Sequence, residues 1–192
     1  ATFSKSLKFG WEKARQNKPF FAKCETIAAL TSRSSPDGAA IVIASGPSLH
    51  RRKSIQRIKE SGFKGDIIVP DGSLCHCLRY GLVPNYVVTV DSHAHRIIRW
   101  FGDKDLETRP PDDYYTRQEF DPAHWKDEKK CNQENIDLVD RHGPQIKAVI
   151  ATCVDTAITK RCLEAGLELY WWNPIYDDYD APESLTRRLY KD

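Results

Sequence analysis

The stretch DIIVPDGSLCHCLRYGLVPNYVVTVDS, residues 66–92, decides the fold of this chain. Its beginning, DIIVPDGS at 66–73, is a short apolar run that ends in turn residues, which predicts a strand. LCHCLRYG at 74–81 predicts a helix that Gly81 ends, and NYVVTVDS at 85–92 predicts the next strand. A strand, a helix and a strand in succession are typical of two parallel strands joined by a crossover helix.

The same alternation continues on both sides of this stretch. AAIVIAS at 39–45 predicts a buried strand, because it is short and rich in β-branched residues. Further strands are expected at 146–153 and 167–172, and further helices at 50–63, 94–102 and 154–166. Strands that alternate with helices predict a parallel sheet covered on both faces. We therefore expect an α/β fold with a doubly wound, mostly parallel, Rossmann-like sheet of at least five strands, in which 41–45, 66–70 and 86–90 are neighbours.

The N-terminal part of the chain has a different pattern. Residues 4–32 carry apolar side chains at roughly helical spacing, and Pro19 is expected to end or kink the first helix. SRSSPDG at 32–38 is typical of a turn or linker. We expect two units, an N-terminal helical appendage at 1–35 and a Rossmann-like nucleotide-binding domain at 36–192.

Residues 102–132 interrupt the alternation. This stretch has two adjacent prolines, many acidic residues and several aromatic residues, and it predicts no regular structure. A structureless stretch of this length is unusual inside a compact domain. We expect either a solvated excursion or a loop that folds over the site.

Composition limits the classes of function. The 192 residues carry a net charge of +2, which does not favour a general polyanion binder, so no nucleic acid partner is expected. No apolar run approaches the ~18 residues that a membrane span requires. Six scattered cysteines with no CxxC pair indicate reduced thiols and a cytoplasmic setting. The composition leaves the oligomeric state open.

Candidate ligand-binding residues follow the predicted strands. Glycines let a ligand approach the backbone, hydroxyls donate hydrogen bonds to phosphate oxygens, and an acid holds a divalent ion or a ribose. The alternative is that these Asp and Ser side chains only cap the helices that follow. The candidate nucleotide-binding residues are Ser45, Gly46, Pro47, Ser48 and Leu49 after the first strand of the domain, Asp71, Gly72 and Ser73 after the second, Ser92 after the third, and Asn173 after the last.

Asp91 and His93 are the candidate catalytic residues, because both follow the third strand. His93 could act as a general base, and the alternative is a solvent-exposed histidine at the start of a helix. Cys75 and Cys77, with histidines nearby, suggest zinc, but helical spacing points the two thiols apart, which suits tetrahedral coordination poorly. We expect no zinc site and a core position for Cys75.

Two segments carry a resemblance to a known family. IVIASGPSL at 41–49 and VPDGSLCHCLRYGLVPNYVVTVDSH at 69–93 resemble the 6-hydroxymethylpterin pyrophosphokinase-like family, which includes the motility accessory factor glycosyltransferases. The likeness covers about residues 38–102 and extends loosely to 175. The Gly-Pro-Ser-Leu loop is also similar to the nucleotide-binding loop of some bacterial sialyltransferases. A further motif looks like that of thiamine pyrophosphokinases, and its residues are Asp71, Gly72, Gly81, Pro84, Asp91 and Ser92.

The resemblance implies a transferase that uses a nucleotide-activated donor, with a glycosyltransferase as the leading expectation. Residues 46–49 would then hold the donor phosphate, Asp71 and Ser73 would contact the nucleotide or sugar, and Asp91 would orient an acceptor or a metal. Family members usually continue into a glycine-rich segment, whereas this chain ends at RRLYKD. We therefore expect either a fragment, truncated at its C-terminus, or a form that lacks part of the site.

Two alternative functions stay open. One is a Mg²⁺-dependent pyrophosphokinase that transfers diphosphate from ATP to a hydroxymethylpterin-like compound. Those enzymes carry two acids in a D-x-D arrangement, and Thr89 stands here where the first would be. We therefore expect Mg²⁺ at Asp91 only together with the phosphates of a bound nucleotide. The other alternative is a noncatalytic nucleotide-binding module. The expected small-molecule partner in all three cases is a nucleotide-sugar or a nucleoside triphosphate.

Overall fold

The computed structural model describes residues 2–32, 38–93, 97–108, 122–174, 179–184 and 187. Its strands are β1 Glu25–Thr26, β2 Ala40–Val42, β3 Asp66–Pro70, β4 Tyr86–Thr89, β5 Lys147–Ala151 and β6 Glu168–Trp172. Its α-helices are α1 Thr2–Phe21, α2 Pro47–Arg51, α3 Ser54–Glu60, α4 Asp71–Arg79, α5 Pro122–His142 and α6 Thr156–Glu164. Short 3₁₀ helices cover Ile27–Ser32, Ile98–Phe101 and Gly143–Gln145.

The six strands form a single all-parallel sheet in the order β1-β6-β5-β4-β3-β2. The predicted neighbours pair as expected, with Ile41 opposite Ile67 and Ile68 opposite Tyr86. Helices flank the sheet, and an N-terminal helix precedes it. The predicted α/β class with a doubly wound, parallel sheet is therefore confirmed. No helix in the described part of the chain is long and apolar enough to cross a membrane.

The first strand of the predicted domain is not buried as expected. β2 has only three residues and lies at an edge of the sheet, where Val42 is 69% exposed. Ile43, one residue further on, is 3% exposed and still donates its N–H to the Ile68 carbonyl. The expectation was wrong because a β-branched run shows that a strand forms but not whether a neighbour covers each side of it.

The helix predicted at 50–63 is two helices. α2 ends at Arg51, and Lys53, with φ of 49°, takes the left-handed conformation before α3 begins. Ile55, on α3, is 1% exposed and joins the core. In the helix predicted at 94–102, residues 94–96 lie outside the described part, and a 3₁₀ helix follows.

The stretch predicted to be structureless, 102–132, contains the start of a long helix. Residues 109–121 lie outside the described part, and α5 begins at Pro122 and continues to His142. The inward side of α5 carries Asn132 and Asn135, which are 8% and 5% exposed. Buried amides in place of apolar residues remove the hydrophobic period that identifies a helix in sequence, and this is why α5 was missed.

The N-terminal segment packs on the rest of the molecule through α1. Asn17 is fully buried, and its Nδ2 donates to the carbonyls of Thr152 (3.0 Å) and Val154 (2.6 Å). Its Oδ1 accepts a hydrogen bond of 2.8 Å from Thr159 Oγ1 on α6. Both the amide nitrogen and the amide oxygen of Asn17 thus have hydrogen-bond partners, as a buried amide requires.

The end of α1 leads directly into the sheet. Pro19 lies inside the helix, which ends two residues later at Phe21, so the proline falls close to the predicted end. β1 then pairs with β6, with Glu25 opposite Tyr170. The N-terminal segment therefore supplies one edge strand of the same sheet whose other edge is β2.

Candidate functional site

A cavity of about 400 Å³ lies where β2 and β3 end, between α2, α4 and the 3₁₀ helix at Ile98–Phe101. Its volume lies within the range of pockets that hold small organic ligands. The carboxyl ends of parallel strands are the usual place for a ligand in this class of fold. The cavity is lined by Ser45, Gly46, Leu49, Gly72, Ser73, Cys75, His76, Arg79 and Trp100.

One end of the cavity is made of small and hydroxyl-bearing residues, which we call the hydroxyl end: Ser45, Gly46, Gly72 and Ser73. The Oγ atoms of Ser45 and Ser73 lie 2.9 Å apart and share a hydrogen bond. A Cβ atom at Gly72 would lie 3.0 Å from Ser45 Oγ, whereas one at Gly46 would meet only Ser48 Oγ at 3.9 Å. Gly72 therefore keeps the hydroxyl end open, and Gly46 has room for a side chain while the cavity is empty.

Asp71 lies beside this end but is not part of the lining. Its Oδ1 accepts a hydrogen bond of 2.6 Å from the Gly72 N–H. Its Oδ2 accepts another, also of 2.6 Å, from the Oγ1 of Thr89, which is buried at the end of β4. Thr89 thus orients the carboxylate of Asp71 between the ends of β3 and β4.

Trp100 forms an aromatic wall of the cavity. Its side chain is 41% exposed although its neighbour Phe101 is completely buried, so the indole faces the open side. The Cys75 thiol donates a hydrogen bond to the Trp100 carbonyl at 3.1 Å. On the far side, Arg161, which is 2% exposed, donates through Nε to the carbonyls of Phe101 and Gly102. The backbone that carries Trp100 is therefore anchored to both α4 and α6.

The cysteines of α4 are thiols rather than thiolates. Burial raises the pKa of Cys75 to about 12 and the pKa of Cys77 to about 12. Both side chains are buried, as expected for Cys75, although Cys75 also lines the cavity. In the described residues no group of three or more His, Cys, Asp or Glu side chains could hold a metal ion.

Arg79 lies at the other end of the cavity and is held by α5. Its Nε donates to Glu134 Oε2 at 2.8 Å, and its Nη2 donates to Asn135 Oδ1 at 2.6 Å and to Cys131 Sγ at 3.2 Å. Burial opposes the charge on the guanidinium, but the hydrogen bond to Glu134 and the nearby charges outweigh it and raise the pKa of Arg79. The group is therefore a fixed cation.

Sequence reasoning missed four of the lining residues: Cys75, which was expected only in the core, and His76, Arg79 and Trp100. Of these, His76 and Arg79 left a signal. His76 and Arg79 follow Gly72 at positions i+4 and i+7 of α4, a spacing that puts all three on one helix face. Had the predicted helix been started at Gly72, its spacing would have predicted that Gly72, His76 and Arg79 share one face. Trp100 left no such signal, because it comes from a separate segment that only the tertiary fold brings to the cavity.

Five of the predicted ligand-binding residues meet in the lining: Ser45, Gly46, Leu49, Gly72 and Ser73. Pro47 begins α2, and Ser48 is exposed one residue before Leu49. Ser92 is half-buried after β4, outside the lining. Asn173 follows β6, three strands away from β3, which corresponds to about 15 Å at the usual strand spacing.

The two predicted catalytic residues lie after β4, the strand adjacent to β3, and are not in the lining of the cavity. Asp91 Oδ1 accepts a hydrogen bond of 3.0 Å from the His93 N–H. The His93 side chain is exposed, and its ring centroid lies 5.5 Å from that of Phe9 on α1. Their catalytic role stays a prediction.

Comparison with protein-family models, with curated proteins and with solved structures finds no match to this chain. The family resemblance drawn from the two sequence segments therefore stays a prediction, and the function is argued from the cavity.

Proposed function

We propose that the protein is a transferase that binds a nucleotide-activated donor in the cavity and transfers its glycosyl group. The observation that supports this most is the cavity at the carboxyl ends of β2 and β3, which combines a hydroxyl end, an aromatic wall and a fixed cation. A nucleotide presents a phosphate, an aromatic base and polar base edges, so each of these features has a counterpart in the ligand.

The phosphate belongs at the hydroxyl end. The Ser45 and Ser73 hydroxyls can turn toward phosphate oxygens, and Gly46 and Gly72 allow the ligand to approach the backbone. The first turn of α4 lies at the same end and adds the positive end of its helix dipole. Among the described residues, the lining contains no carboxylate, and the Asp71 carboxylate beside it is already hydrogen-bonded to Gly72 and Thr89.

We assign the transfer step to the residues that follow β4, the strand adjacent to β3. Asp91 follows β4, which is adjacent to β3, so it lies about one strand spacing, roughly 5 Å, to the side of Asp71. Asp91 or His93 would take the proton of an acceptor hydroxyl as its oxygen bonds to the anomeric carbon. The bond from that carbon to the donor phosphate oxygen breaks, and the hydroxyl end stabilises the charge that the phosphate gains.

A pyrophosphokinase is the second candidate, because Asp71 and Asp91 follow adjacent strands, as in a two-carboxylate Mg²⁺ site. Thr89 occupies one Asp71 oxygen, which leaves Asp91 to share a Mg²⁺ ion with the nucleotide phosphates. Tight Mg²⁺ binding to the free protein would contradict this expectation, show that the two carboxylates bind the ion without a nucleotide, and favour this candidate over glycosyl transfer.

A thermal-shift screen with CMP, UDP, GDP and ATP, each with and without Mg²⁺, tests the proposal. A ligand that binds only the folded state at 100 times its Kd stabilises it by about 2.7 kcal/mol, which raises Tm by roughly 5–10 °C for a chain of this size. Binding would then be followed by assay of the bound nucleotide-sugar for release of nucleotide in the presence of hydroxyl acceptors. No shift with any nucleotide would refute the proposal.

Gly46→Val shows whether binding occurs in this cavity. A Cβ atom at this position meets Ser48 Oγ at an ordinary contact distance of 3.9 Å, so the fold should be kept, but the valine side chain fills space beside the donor phosphate. We expect nucleotide binding to be abolished and Tm without ligand to be nearly unchanged. Ala40→Val is the matched control, because Ala40 is exposed on β2 and outside the lining. Unchanged binding by Gly46→Val would move the site elsewhere.

A further inference from the structure

One nitrogen of the Arg79 guanidinium has no hydrogen-bond partner among the described residues, although α5 holds the side chain in place. Nε and Nη2 make the hydrogen bonds to Glu134, Asn135 and Cys131. Nη1 makes no hydrogen bond to any residue in the described part of the chain, and Arg79 lines the cavity. Two N–H groups on a guanidinium that is already oriented are thus available to a ligand, at little further cost in side-chain entropy.

The position of Arg79 along α4 sets its distance from the phosphate. Arg79 lies seven positions after Gly72 on α4, which corresponds to about 10 Å along the helix axis. Trp100 flanks the space between them, since a Cβ atom at Gly72 would lie 4.0 Å from Trp100 Cε2 and Cys75 bonds the Trp100 carbonyl. A nucleotide with its phosphate at the hydroxyl end therefore has its base beside Trp100 and the far edge of that base near Arg79.

Arg79 presents N–H donors to this end of the cavity, and the Glu134 Oε2 and Asn135 Oδ1 acceptors beside it are already bonded to Nε and Nη2. Arginine has five N–H donors and no acceptor. Of the described residues, neither a carboxylate nor a side-chain amide belongs to the lining, and His76 can donate or accept. A base edge that carries an exocyclic amino group would place donor against donor here, whereas one that carries a carbonyl oxygen is complementary.

We propose that Arg79 reads the base of the nucleotide and selects guanine or uracil over adenine and cytosine, with the base stacked on Trp100. This inference rests on the proposed function. Guanine presents two acceptors, O6 and N7, and uracil presents O4, whereas adenine has an N6 amino donor beside its N7 acceptor and cytosine has an N4 amino donor at the corresponding edge. A hydrogen bond from a charged donor typically accounts for tenfold or more in affinity, so the preference should be at least about tenfold.

Calorimetric titration with GDP, UDP, ADP and CDP, under one buffer and one Mg²⁺ concentration, tests the inference. The four ligands share the diphosphate and ribose, so differences in Kd report on the base. We expect GDP and UDP to bind at least about tenfold more tightly than ADP and CDP. Arg79→Met should remove the difference by weakening GDP and UDP while leaving ADP and CDP nearly unchanged. Arg141→Met on α5 is the control for loss of one exposed positive charge, and it should keep the preference.

The outcomes separate this inference from the proposed function. Equal binding of all four diphosphates by the parent protein would refute base selection and leave nucleotide binding intact. Equal weakening of all four in Arg79→Met would show that Arg79 binds the phosphates instead and would also refute the inference. No binding of any nucleotide would refute the proposed function itself. If Arg79→Met fails to fold, Arg79→Lys keeps the charge and most of the stem but lacks the planar fork, and it should lose the preference as well.

Discussion

Replacing Asn17 with alanine should destabilise the protein more than most substitutions of a polar residue. The change removes three buried hydrogen bonds, two to the carbonyls of Thr152 and Val154 and one from Thr159. At about 1 kcal/mol for each bond, the loss is roughly 3 kcal/mol. A small buried void adds to this, so we expect about 3–5 kcal/mol in total. At 2–4 °C for each kcal/mol in a chain of this length, Tm should fall by at least about 6 °C.

Urea unfolding followed by circular dichroism measures this loss as a change in the free energy of unfolding. Gln16→Ala is the matched control on the same helix, because Gln16 is exposed and makes only a long contact with Glu12. That variant should lie within about 0.5 kcal/mol of the parent. Thr159→Val, which removes one of the three bonds and keeps the side-chain shape, should lose about 1–2 kcal/mol.

The pair of variants also shows whether the bonds act together. The Asn17→Ala and Thr159→Val double variant should lose less than the sum of the single losses, because both changes remove the same bond. A loss below 1 kcal/mol for Asn17→Ala would refute the reasoning, since α1 would then contribute little to the fold. The same result would be expected of an appendage that is only loosely attached.

Three further predictions concern the site. Gly72→Ala puts a methyl group 3.0 Å from the neighbouring Ser45 hydroxyl, so nucleotide affinity should fall at least about tenfold with little change in Tm. Parental affinity, measured by calorimetry, would contradict the assignment of the hydroxyl end. Asp91→Asn should lower transferase activity by orders of magnitude with the free energy of unfolding nearly unchanged, and full activity in an initial-rate assay would remove Asp91 from the site. Because burial raises the pKa of Cys75 to about 12, a thiol reagent at pH 8 should label exposed Cys131 and leave Cys75 unmodified. Mass spectrometry of the labelled peptides measures this, and labelling of Cys75 as fast as Cys131 would contradict it.

Strand positions could be predicted because they depend on local apolar patterns. Val69 and Val87 belong to short β-branched runs bounded by turn residues, and both are completely buried in the sheet. The same pattern at 41–45 located a strand correctly but not its exposure. Whether a strand is central or at an edge depends on which other segments pair with it, and this is information that a local run does not contain.

The candidate site was predictable where it follows directly from a strand end. Ser45 and Ser73 were placed together because neighbouring parallel strands end at the same edge, and their hydroxyls do meet. Trp100 and Arg79 depend on long-range contacts instead. Trp100 is held through the buried Arg161, and Arg79 is oriented by a helix whose inner side is polar. The helical spacing of Arg79 from Gly72 leaves a signal in the sequence, but the contacts that hold Trp100 and orient Arg79 do not.

The pairing of the first strand with the last has a consequence for how the chain folds. Glu25 pairs with Tyr170, a separation of 170 − 25 = 145 residues, and Asn17 reaches Thr152 across 135 residues. Contacts between such distant segments require closure of a long loop, which slows folding relative to local contacts. During synthesis, α1 leaves the ribosome before β6 and cannot complete these contacts until β6 has followed. Among the described elements, α1 and β1 are therefore made early but become native late.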